Sequence, residues 1–198
     1  MRTVVLAGGR SRRMGFDKLV TPFAGVALAR RVVLGLRELQ PLVVATPEVA
    51  GVLSDLNFAQ LVVTEPTAGP SVTLTLAHAA IPPDAYLAVL PCDVPFLDAA
   101  RVAAFVARVA DDADLSWPVI GETPGHPVVW SPKARARIAA LRDDEPPLRV
   151  RSDPALHVVA LVEHDDAYVT DVDTPEIWSA AEARAARALR TEPRPARR

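Results

Sequence analysis

Cysteine and long hydrophobic runs are scarce in this chain. Cys92 is the single cysteine among 198 residues, so no internal disulfide can form, which fits a reducing compartment. No apolar run approaches the length of about 20 residues that spans a membrane. The apolar run that follows Met1-Arg2-Thr3 is too short for the core of a signal peptide. We therefore expect a cytoplasmic protein without a membrane partner.

A strong excess of charge is also missing. The formal net charge is −2, from 22 basic and 24 acidic residues. Without a global basic field, nucleic acid is not the expected partner. Lys18 and Lys133 are the only lysines, so arginine supplies most of the positive charge. The lysine at position 18, in a glycine-rich loop, therefore suggests a need for a compact, mobile charge.

Length and composition predict one globular domain. Half of the residues are apolar, which is enough for a sizeable core and argues against a disordered chain. The sequence contains no internal repeat and no linker, and we assign residues 1–190 to this domain. Residues 191–198 are rich in proline and arginine and are predicted to form a disordered tail.

Short apolar strands alternate with helices along the first half of the chain. Strands are predicted at residues 3–7, 42–45, 61–63 and 86–90. The main helices are predicted at residues 26–39, at 72–81 with Ser71 as the cap, and at 98–110. The order predicts a doubly wound, Rossmann-like α/β domain, a three-layer sandwich with a mostly parallel sheet.

The second half of the chain is less regular. Strands are predicted at 115–120 and 126–130, a helix at 132–141, and a loop at 143–154. Residues 157–162 and 168–170 are predicted to form a hairpin, which would be the antiparallel edge of the sheet. A long helix, capped by Thr174, is predicted at 175–190.

Three loops follow the carboxyl ends of predicted parallel strands, at residues 8–18, 64–70 and 91–95. Such ends share one edge of the sheet, where ligands bind in α/β proteins. The first loop contains three glycines, Ser11 and the cations Arg10, Arg12, Arg13 and Lys18. Glycine lets backbone N–H groups approach phosphate oxygens, and cations neutralise them. Neither the P-loop nor the dinucleotide fingerprint fits, so this loop is either a phosphate site of another kind or a solvated basic turn.

Carboxylates occur at two further positions of interest. Asp93 follows a buried strand in a loop held by two prolines. Since Mg²⁺ takes one or two carboxylates together with phosphate oxygens, Asp93 is a candidate metal ligand. The alternative is that Asp93 only accepts hydrogen bonds from nearby loop amides. Asp171 and Asp173 are a second acidic site, although acids are also favourable at a helix N-terminus in their own right.

Two other segments are candidates for substrate contacts. Glu65, Gly69 and Ser71 follow the third predicted strand and open a helix, so we expect them to contact the base or ribose. His126 lies between a glycine and a proline, which suggests a shaped pocket in which the imidazole could donate a hydrogen bond to a phosphate group. The alternative is a histidine that is merely hydrogen-bonded.

Residues 6–18, Leu-Ala-Gly-Gly-Arg-Ser-Arg-Arg-Met-Gly-Phe-Asp-Lys, resemble the signature of the MobA-like nucleotidyltransferases. Residues 91–97 resemble that family's metal motif, and residues 171–176 its carboxyl-terminal acidic element. The resemblance implies a fold of the nucleotide-diphospho-sugar transferase type. It also implies an Mg²⁺-dependent enzyme that transfers a nucleotidyl group from GTP or CTP to molybdopterin, with transient contact to molybdoenzymes or cofactor-delivery proteins.

The same resemblance implies roles for individual residues. Arg13, Lys18 and Asp93 would be catalytic, Asp93 would bind the metal with Asp171 and Asp173 as secondary candidates, and His126 would bind the acceptor. The implied nucleotide-binding residues are Leu6, Ala7, Gly8, Gly9, Ser11, Arg13, Gly15, Lys18, Glu65, Gly69 and Ser71.

The motifs conflict on the base. Leu-Ala-Gly-Gly at residues 6–9 is the guanylyl form of the first motif, and a second glycine leaves room for a purine or for a close backbone contact. Gly69, Ser71, Thr73 and Leu74 fit the cytidylyl form of the second motif, and residues 125–130 resemble a separate Gly-His/Asn-Pro element of the cytidylyltransferase branch.

The predicted mechanism is direct attack of an acceptor phosphate on the α-phosphorus, with pyrophosphate leaving. Catalysis then rests on positioning and charge stabilisation. Three alternatives remain open: transfer to a sugar phosphate or another phosphorylated metabolite, a nucleotide-binding regulatory module without turnover, and a nicotinamide oxidoreductase. The missing dinucleotide fingerprint disfavours the last of these.

Overall fold

A mostly parallel sheet lies between two layers of helices in the computed structural model, which describes residues 1–9 and 14–191. The strands are β1 (Arg2–Ala7), β2 (Pro22–Phe23), β3 (Val26–Ala27), β4 (Leu42–Ala45), β5 (Gln60–Val63), β6 (Leu87–Pro91), β7 (Leu115–Ile120), β8 (Thr123–Pro124), β9 (Val128–Trp130) and β10 (Val158–Val162). The α-helices are α1 (Leu28–Gly35), α2 (Pro47–Leu53), α3 (Pro70–Ala79), α4 (Ala99–Val106), α5 (Pro132–Arg135) and α6 (Pro175–Thr191). Short 3₁₀ turns are formed by Arg37–Leu39, Ile138–Ala140, Pro147–Ser152 and Asp166–Tyr168.

The main sheet has the strand order β10-β7-β9-β6-β1-β4-β5. The pairs β1–β4, β1–β6, β4–β5 and β7–β10 are parallel. Strand β9 runs antiparallel between β6 and β7, and β8 is antiparallel to β7. The predicted fold class, a doubly wound α/β sandwich with a mostly parallel sheet and an antiparallel part, is confirmed.

The predicted hairpin of residues 157–162 and 168–170 is wrong. Strand β10 instead pairs in parallel with β7, with Val158 opposite Leu115. Residues 166–168 form a 3₁₀ turn, because the carboxylate of Asp165 accepts a hydrogen bond from the backbone N–H of Ala167 at 3.0 Å. The short apolar run at 168–170 was therefore not evidence for a strand.

The sheet is apolar on both faces because helices cover both. Val5 and Ala7 of β1 belong to one buried cluster, together with residues of α1, α2, α4 and α6. Val4 belongs to the other, together with residues of α3 and α5. This alternation explains why the strands consist almost wholly of apolar residues.

Several helix boundaries differ from the prediction. Val26 pairs with Phe23 in a small hairpin, so α1 begins only at Leu28, and it ends at Gly35 rather than at residue 39. Helix α3 begins at Pro70 with Gly69 in the N-cap position, so Ser71 lies inside the first turn and is not the cap. The predicted cap Thr174 does accept a backbone hydrogen bond, from Ile177, and the side chains of Thr46 and Asp98 cap α2 and α4 in the same way.

The remaining differences are in the second half and at the end of α4. Helix α4 ends at Val106 rather than near residue 110. The predicted helix at 132–141 is divided into α5 and the 3₁₀ turn of residues 138–140, and the predicted loop at 143–154 contains the 3₁₀ turn of residues 147–152.

Arg135 of α5 fixes the carboxyl end of α3, although its side chain is fully buried. The guanidinium donates to the carbonyl oxygens of four residues at and beyond that end, namely His78, Ile81, Pro82 and Ala85. These bonds satisfy carbonyl groups that a helix end leaves without intrahelical partners.

No helix in the described part of the chain is long and apolar enough to cross a membrane. Of the predicted tail, only Thr191 belongs to the described residues, as the last residue of α6. The rest of the tail lies outside them.

Candidate functional site

A cleft of about 540 Å³ opens at the carboxyl ends of β1 and β6. The loops that follow β1, β5 and β6 contribute to it, as expected for strands whose ends share one edge of the sheet. Among the predicted site residues, those that line it are Leu6, Gly8, Gly9, Lys18, Gly69, Asp93 and Asp173.

The start of the glycine loop is held against the loop that follows β5. Thr67 donates to the carbonyl oxygen of Gly8 twice, from its backbone N–H at 2.8 Å and from its hydroxyl at 3.1 Å. A Cβ atom at Gly8 would lie 3.0 Å from Oγ1 of Thr73, so the position has little room for a side chain. Gly9, by contrast, has open space where a Cβ would be. The backbone at Gly9 is therefore accessible to a ligand in the cleft.

Residues 10–13, including the predicted phosphate ligands Ser11 and Arg13, lie outside the described residues. The description resumes at Met14, which lines the cleft, and at Gly15, whose φ of +72° is in the left-handed region that glycine favours. Phe16 packs edge-on against Trp178 of α6, with ring centroids 5.5 Å apart. This contact anchors the returning half of the loop on the carboxyl-terminal helix.

Lys18 is the centre of a hydrogen-bonded cluster in the wall of the cleft. Its Nζ donates to Oδ2 of Asp93 at 2.7 Å, to Oδ1 of Asp173 at 2.6 Å and to the backbone oxygen of Val172 at 2.9 Å. Burial alone would lower the pKa of this ammonium group, but the charge of Asp93 and the hydrogen bond to Asp173 outweigh burial and raise it. Lys18 is therefore charged at neutral pH.

Asp93 connects the loop after β6 with the segment before α6. Its backbone oxygen accepts a hydrogen bond from Val172 N at 3.0 Å, and its Oδ2 accepts the one from Lys18. Its other carboxylate oxygen, Oδ1, is buried and has no hydrogen-bond partner among the residues that the structure describes. A buried carboxylate oxygen without a partner is unusual, and it indicates that a ligand belongs at this position.

Among the described residues, the carboxylates of Asp93, Asp171 and Asp173 surround the single positive charge of Lys18. Burial raises the pKa of Asp171, and the charges of Asp93 and Asp173 raise it further. Within the described residues no three histidine, cysteine or acidic side chains form a ready-made metal site. The unpartnered Oδ1 of Asp93 and the excess of negative charge nevertheless fit a divalent cation whose remaining ligands come from substrate phosphates and water.

A second cleft, of about 290 Å³, adjoins the first, and Asp93 lines both. His126 and Asp171 lie in this second cleft together with mostly apolar residues such as Trp130 and Leu148. Burial lowers the pKa of His126 to about 4, so the ring is neutral at pH 7. Within the described part of the chain, Nδ1 of His126 and Nε1 of Trp130 are buried without hydrogen-bond partners, so both are available to a bound molecule.

The backbone before His126 is tightly packed, which holds the ring in place. A Cβ at Gly125 would lie 2.3 Å from the backbone oxygen of Tyr168, so this position requires glycine. The same oxygen accepts a hydrogen bond from His126 N at 2.8 Å.

Four predicted nucleotide-binding residues do not line either cleft: Ala7, Gly15, Glu65 and Ser71. Ala7 is buried in the core, whereas Gly15 and Glu65 are exposed. Ser71 is buried, and its hydroxyl donates to the backbone oxygen of Glu145. Ser71 therefore ties the segment before Pro146 to the first turn of α3, and in this structure its hydroxyl is not directed to a nucleotide.

Thr67 and Thr73 also line the cleft, although Thr67 was not singled out from the sequence and Thr73 was considered only as part of the second motif. Their hydroxyl oxygens are 2.9 Å apart, and they join the loop after β5 to the glycine loop. Their signal in the sequence was the spacing of hydroxyl residues through Thr-Ala-Gly-Pro-Ser-Val-Thr at 67–73.

Residues 3–158 match the model of the MobA-like NTP transferase domain. The chain belongs to this family. The match includes the three loops after β1, β5 and β6 that contribute to the first cleft, and it ends before Asp171 and Asp173.

Comparisons with individual proteins agree with the family. The chain is 32% identical over 128 residues to a probable molybdenum cofactor guanylyltransferase of Haloferax mediterranei, and the match spans 61% of this chain and 60% of that protein. It is also similar to the crystal structure of a homologue, from Mycobacterium sp. strain JC1, of the Mycobacterium tuberculosis protein Rv0371c. The TM-score is 0.80 at 25% identity, covering 95% of this chain and 100% of the other. The manganese complex of Rv0371c itself matches with a TM-score of 0.72 at 20% identity, covering 92% of this chain and 97% of the other.

Proposed function

We propose that this protein transfers a nucleotidyl group from GTP or CTP to molybdopterin and releases pyrophosphate, with Mg²⁺ as the cofactor. The observation that carries the proposal is the contact between Lys18 and Asp93 in the wall of a cleft that Gly8 and Gly9 also line. The matched guanylyltransferase of Haloferax mediterranei supports the acceptor class, and the manganese complex of Rv0371c supports a divalent metal.

The first cleft suits the nucleotide. Its volume of about 540 Å³ is within the range of small-molecule sites. The backbone at Gly8 and Gly9 lies against it, and the Lys18 ammonium group is available to offset the negative charge of the triphosphate. The roles of Ser11 and Arg13 as further phosphate contacts remain predictions.

The second cleft suits the acceptor, because Asp93 is shared between the two clefts. An acceptor held there presents its phosphate beside the α-phosphate of the nucleotide. His126 is neutral and has an unpartnered Nδ1, so it orients the acceptor by a hydrogen bond rather than by charge. The acceptor phosphate is already anionic, so the attack needs no strong general base.

Asp93 holds the metal in this mechanism, with Asp171 or Asp173 as a second carboxylate. Bound Mg²⁺ would supply charge stabilisation at the reacting phosphates. Lys18 offsets charge on the leaving pyrophosphate, and the chain's remaining contribution is to position the two substrates and exclude water.

The glycine pair at 8–9 does not decide the base. The structure gives Gly8 a packing reason of its own, since a Cβ there would press on Thr73. The guanylyl form of the first motif is therefore explained without a purine, and the proposal keeps both GTP and CTP.

Pyrophosphate release with GTP and with CTP tests the proposal, in the presence of Mg²⁺ and molybdopterin. We expect one nucleotide to be consumed and the dinucleotide product to be detectable by mass spectrometry. The matched control is Asp93→Asn, which keeps the shape of the side chain and removes its charge. Absence of product with either nucleotide, under conditions where the protein is folded, would refute the proposed reaction.

A further inference from the structure

Lys18 makes more hydrogen bonds to the protein than a role in phosphate binding alone would require. An ammonium group has three N–H donors. Lys18 directs them to Asp93, Asp173 and the backbone oxygen of Val172, all within 2.9 Å. Its side chain is only 9% exposed. To reach a phosphate, Lys18 must give up at least one of these bonds.

We infer that Lys18 is a resident cation that occupies the metal position of the nucleotide-free protein and leaves it when a nucleotide binds. The inference rests on the proposed function, because it takes the cleft to be the nucleotide site. It concerns a different property, namely the order in which cations reach the carboxylates.

Charge explains why the position needs a cation at all times. Asp93 and Asp173 both contact the ammonium group, and Asp171 is close enough for their charges to raise its pKa. Without a cation, the three carboxylates would repel one another in a partly buried site. Lys18 supplies one positive charge, and it does so without any metal.

The same contacts work against binding of a divalent ion alone. An incoming cation would be repelled by the ammonium group and would find Oδ2 of Asp93 and Oδ1 of Asp173 already engaged. A triphosphate changes this balance, since its oxygens are alternative acceptors for Lys18. Lys18 then moves from the carboxylates to the phosphates, and Oδ2 of Asp93 becomes available to a metal ion together with Oδ1. We therefore expect the metal and the nucleotide each to bind more tightly in the presence of the other than alone.

The first experiment measures binding of Mn²⁺ alone, by the loss of the free-ion electron paramagnetic resonance signal. We expect Lys18→Met, which keeps a long apolar stem and removes the charge, to bind Mn²⁺ at least tenfold more tightly than the wild type. The matched control Lys18→Arg keeps the charge and should bind no more tightly than the wild type. Adding Asp93→Asn to Lys18→Met should abolish the gain. If folded Lys18→Met binds Mn²⁺ no more tightly than the wild type, the inference is wrong.

The second experiment uses the wild-type protein, so it does not depend on whether a variant folds. The sequence has only two lysines, so ¹⁵N-lysine labelling yields at most two Nζ signals in an NMR spectrum. Lys133→Arg assigns them, and Lys133, whose side chain is 55% exposed, is the internal reference. We expect the Lys18 signal to be unchanged by Mg²⁺ alone and to shift when Mg²⁺ is added with GTP or CTP. A full shift with Mg²⁺ alone would overturn the inference.

The two proposals fail in different ways. If neither GTP nor CTP binds, the proposed function is wrong, whereas the Mn²⁺ affinities of the wild type and Lys18→Met still report whether Lys18 excludes the metal. If a nucleotide binds and reacts but Lys18→Met gains no Mn²⁺ affinity, the proposed function stands and the resident-cation role does not.

Discussion

Replacing Asp93 with asparagine tests the site most economically, because the change removes one charge and almost no volume. In the wild type, Oδ2 of Asp93 accepts a hydrogen bond from Lys18 at 2.7 Å, and the two side chains are 16% and 9% exposed. The variant keeps two of the described contacts of the buried ammonium group, those with the carboxylate of Asp173 and the backbone oxygen of Val172.

The magnitude follows from this geometry. Breaking a buried ion pair by removing one partner costs about 3–5 kcal/mol when the other charge is left uncompensated. Here Asp173 remains, although its side chain is 40% exposed and better screened. We therefore expect the free energy of unfolding to fall by about 2–3 kcal/mol, below the full penalty. Losing the charged contact at the reacting phosphates should also slow pyrophosphate release by about a hundred- to a thousandfold, or about 2.7–4 kcal/mol.

Urea unfolding followed by circular dichroism measures the first effect, and a coupled pyrophosphate assay measures the second. Asp55→Asn is the matched control, because Asp55 also pairs with a cation, Arg30, but its side chain is 67% exposed. Because water screens this exposed pair, we expect the control to keep the stability and the rate of the wild type. Wild-type stability together with a wild-type rate in Asp93→Asn would refute the reasoning.

The remaining predictions concern other parts of the molecule. Lys18→Ala should reduce pyrophosphate release by about the same hundred- to thousandfold as the Asp93 variant, and a wild-type rate would remove Lys18 from the reaction. Gly125→Ala places a Cβ 2.3 Å from a backbone oxygen and should lower the free energy of unfolding by about 3 kcal/mol in urea denaturation; an unchanged midpoint would contradict the packing described. Arg135→Met removes the guanidinium donor from four carbonyl oxygens, of which those of His78 and Pro82 also accept backbone N–H groups. The free energy of unfolding should fall by about 3 kcal/mol in the same measurement, whereas a loss near zero would show that these bonds contribute little. Because the pKa of His126 falls from 6.5 to about 4 on folding, the unfolded chain binds an extra proton as the pH falls through this window, and the free energy of unfolding decreases. His126→Gln should remove up to about 3 kcal/mol of that decrease. Identical pH profiles of stability for the variant and the wild type, measured without metal, would refute this prediction.

The fold was largely predictable because its determinants are local and repeated. Apolar strands followed by loops and helices predict parallel crossover units, and the sheet around β1, β4 and β6 follows that rule. The place of β9 was not predictable in this way. Its pairing with both β6 and β7 depends on contacts between distant segments, which no local pattern encodes.

The same distinction applies to the site. Lys18 and Asp93 were identified from the loops that carry them, since strand ends place such loops at one edge. The role of Ser71 in holding the segment of Glu145 was not evident, because the two residues are 74 positions apart. The packing of Gly8 against Thr73 was likewise hidden, and it changes the interpretation of the glycine pair.

The central claim is that Lys18 and Asp93 together bind one metal-bound nucleotide in the first cleft. Anomalous diffraction from crystals grown with Mn²⁺ and a non-hydrolysable GTP or CTP analogue tests it most directly. The account predicts a manganese peak in contact with the carboxylate of Asp93, phosphate density over Gly8 and Gly9, and Lys18 turned toward the phosphates. Manganese and triphosphate bound away from this cleft, with Lys18 still joined to Asp93, would contradict it.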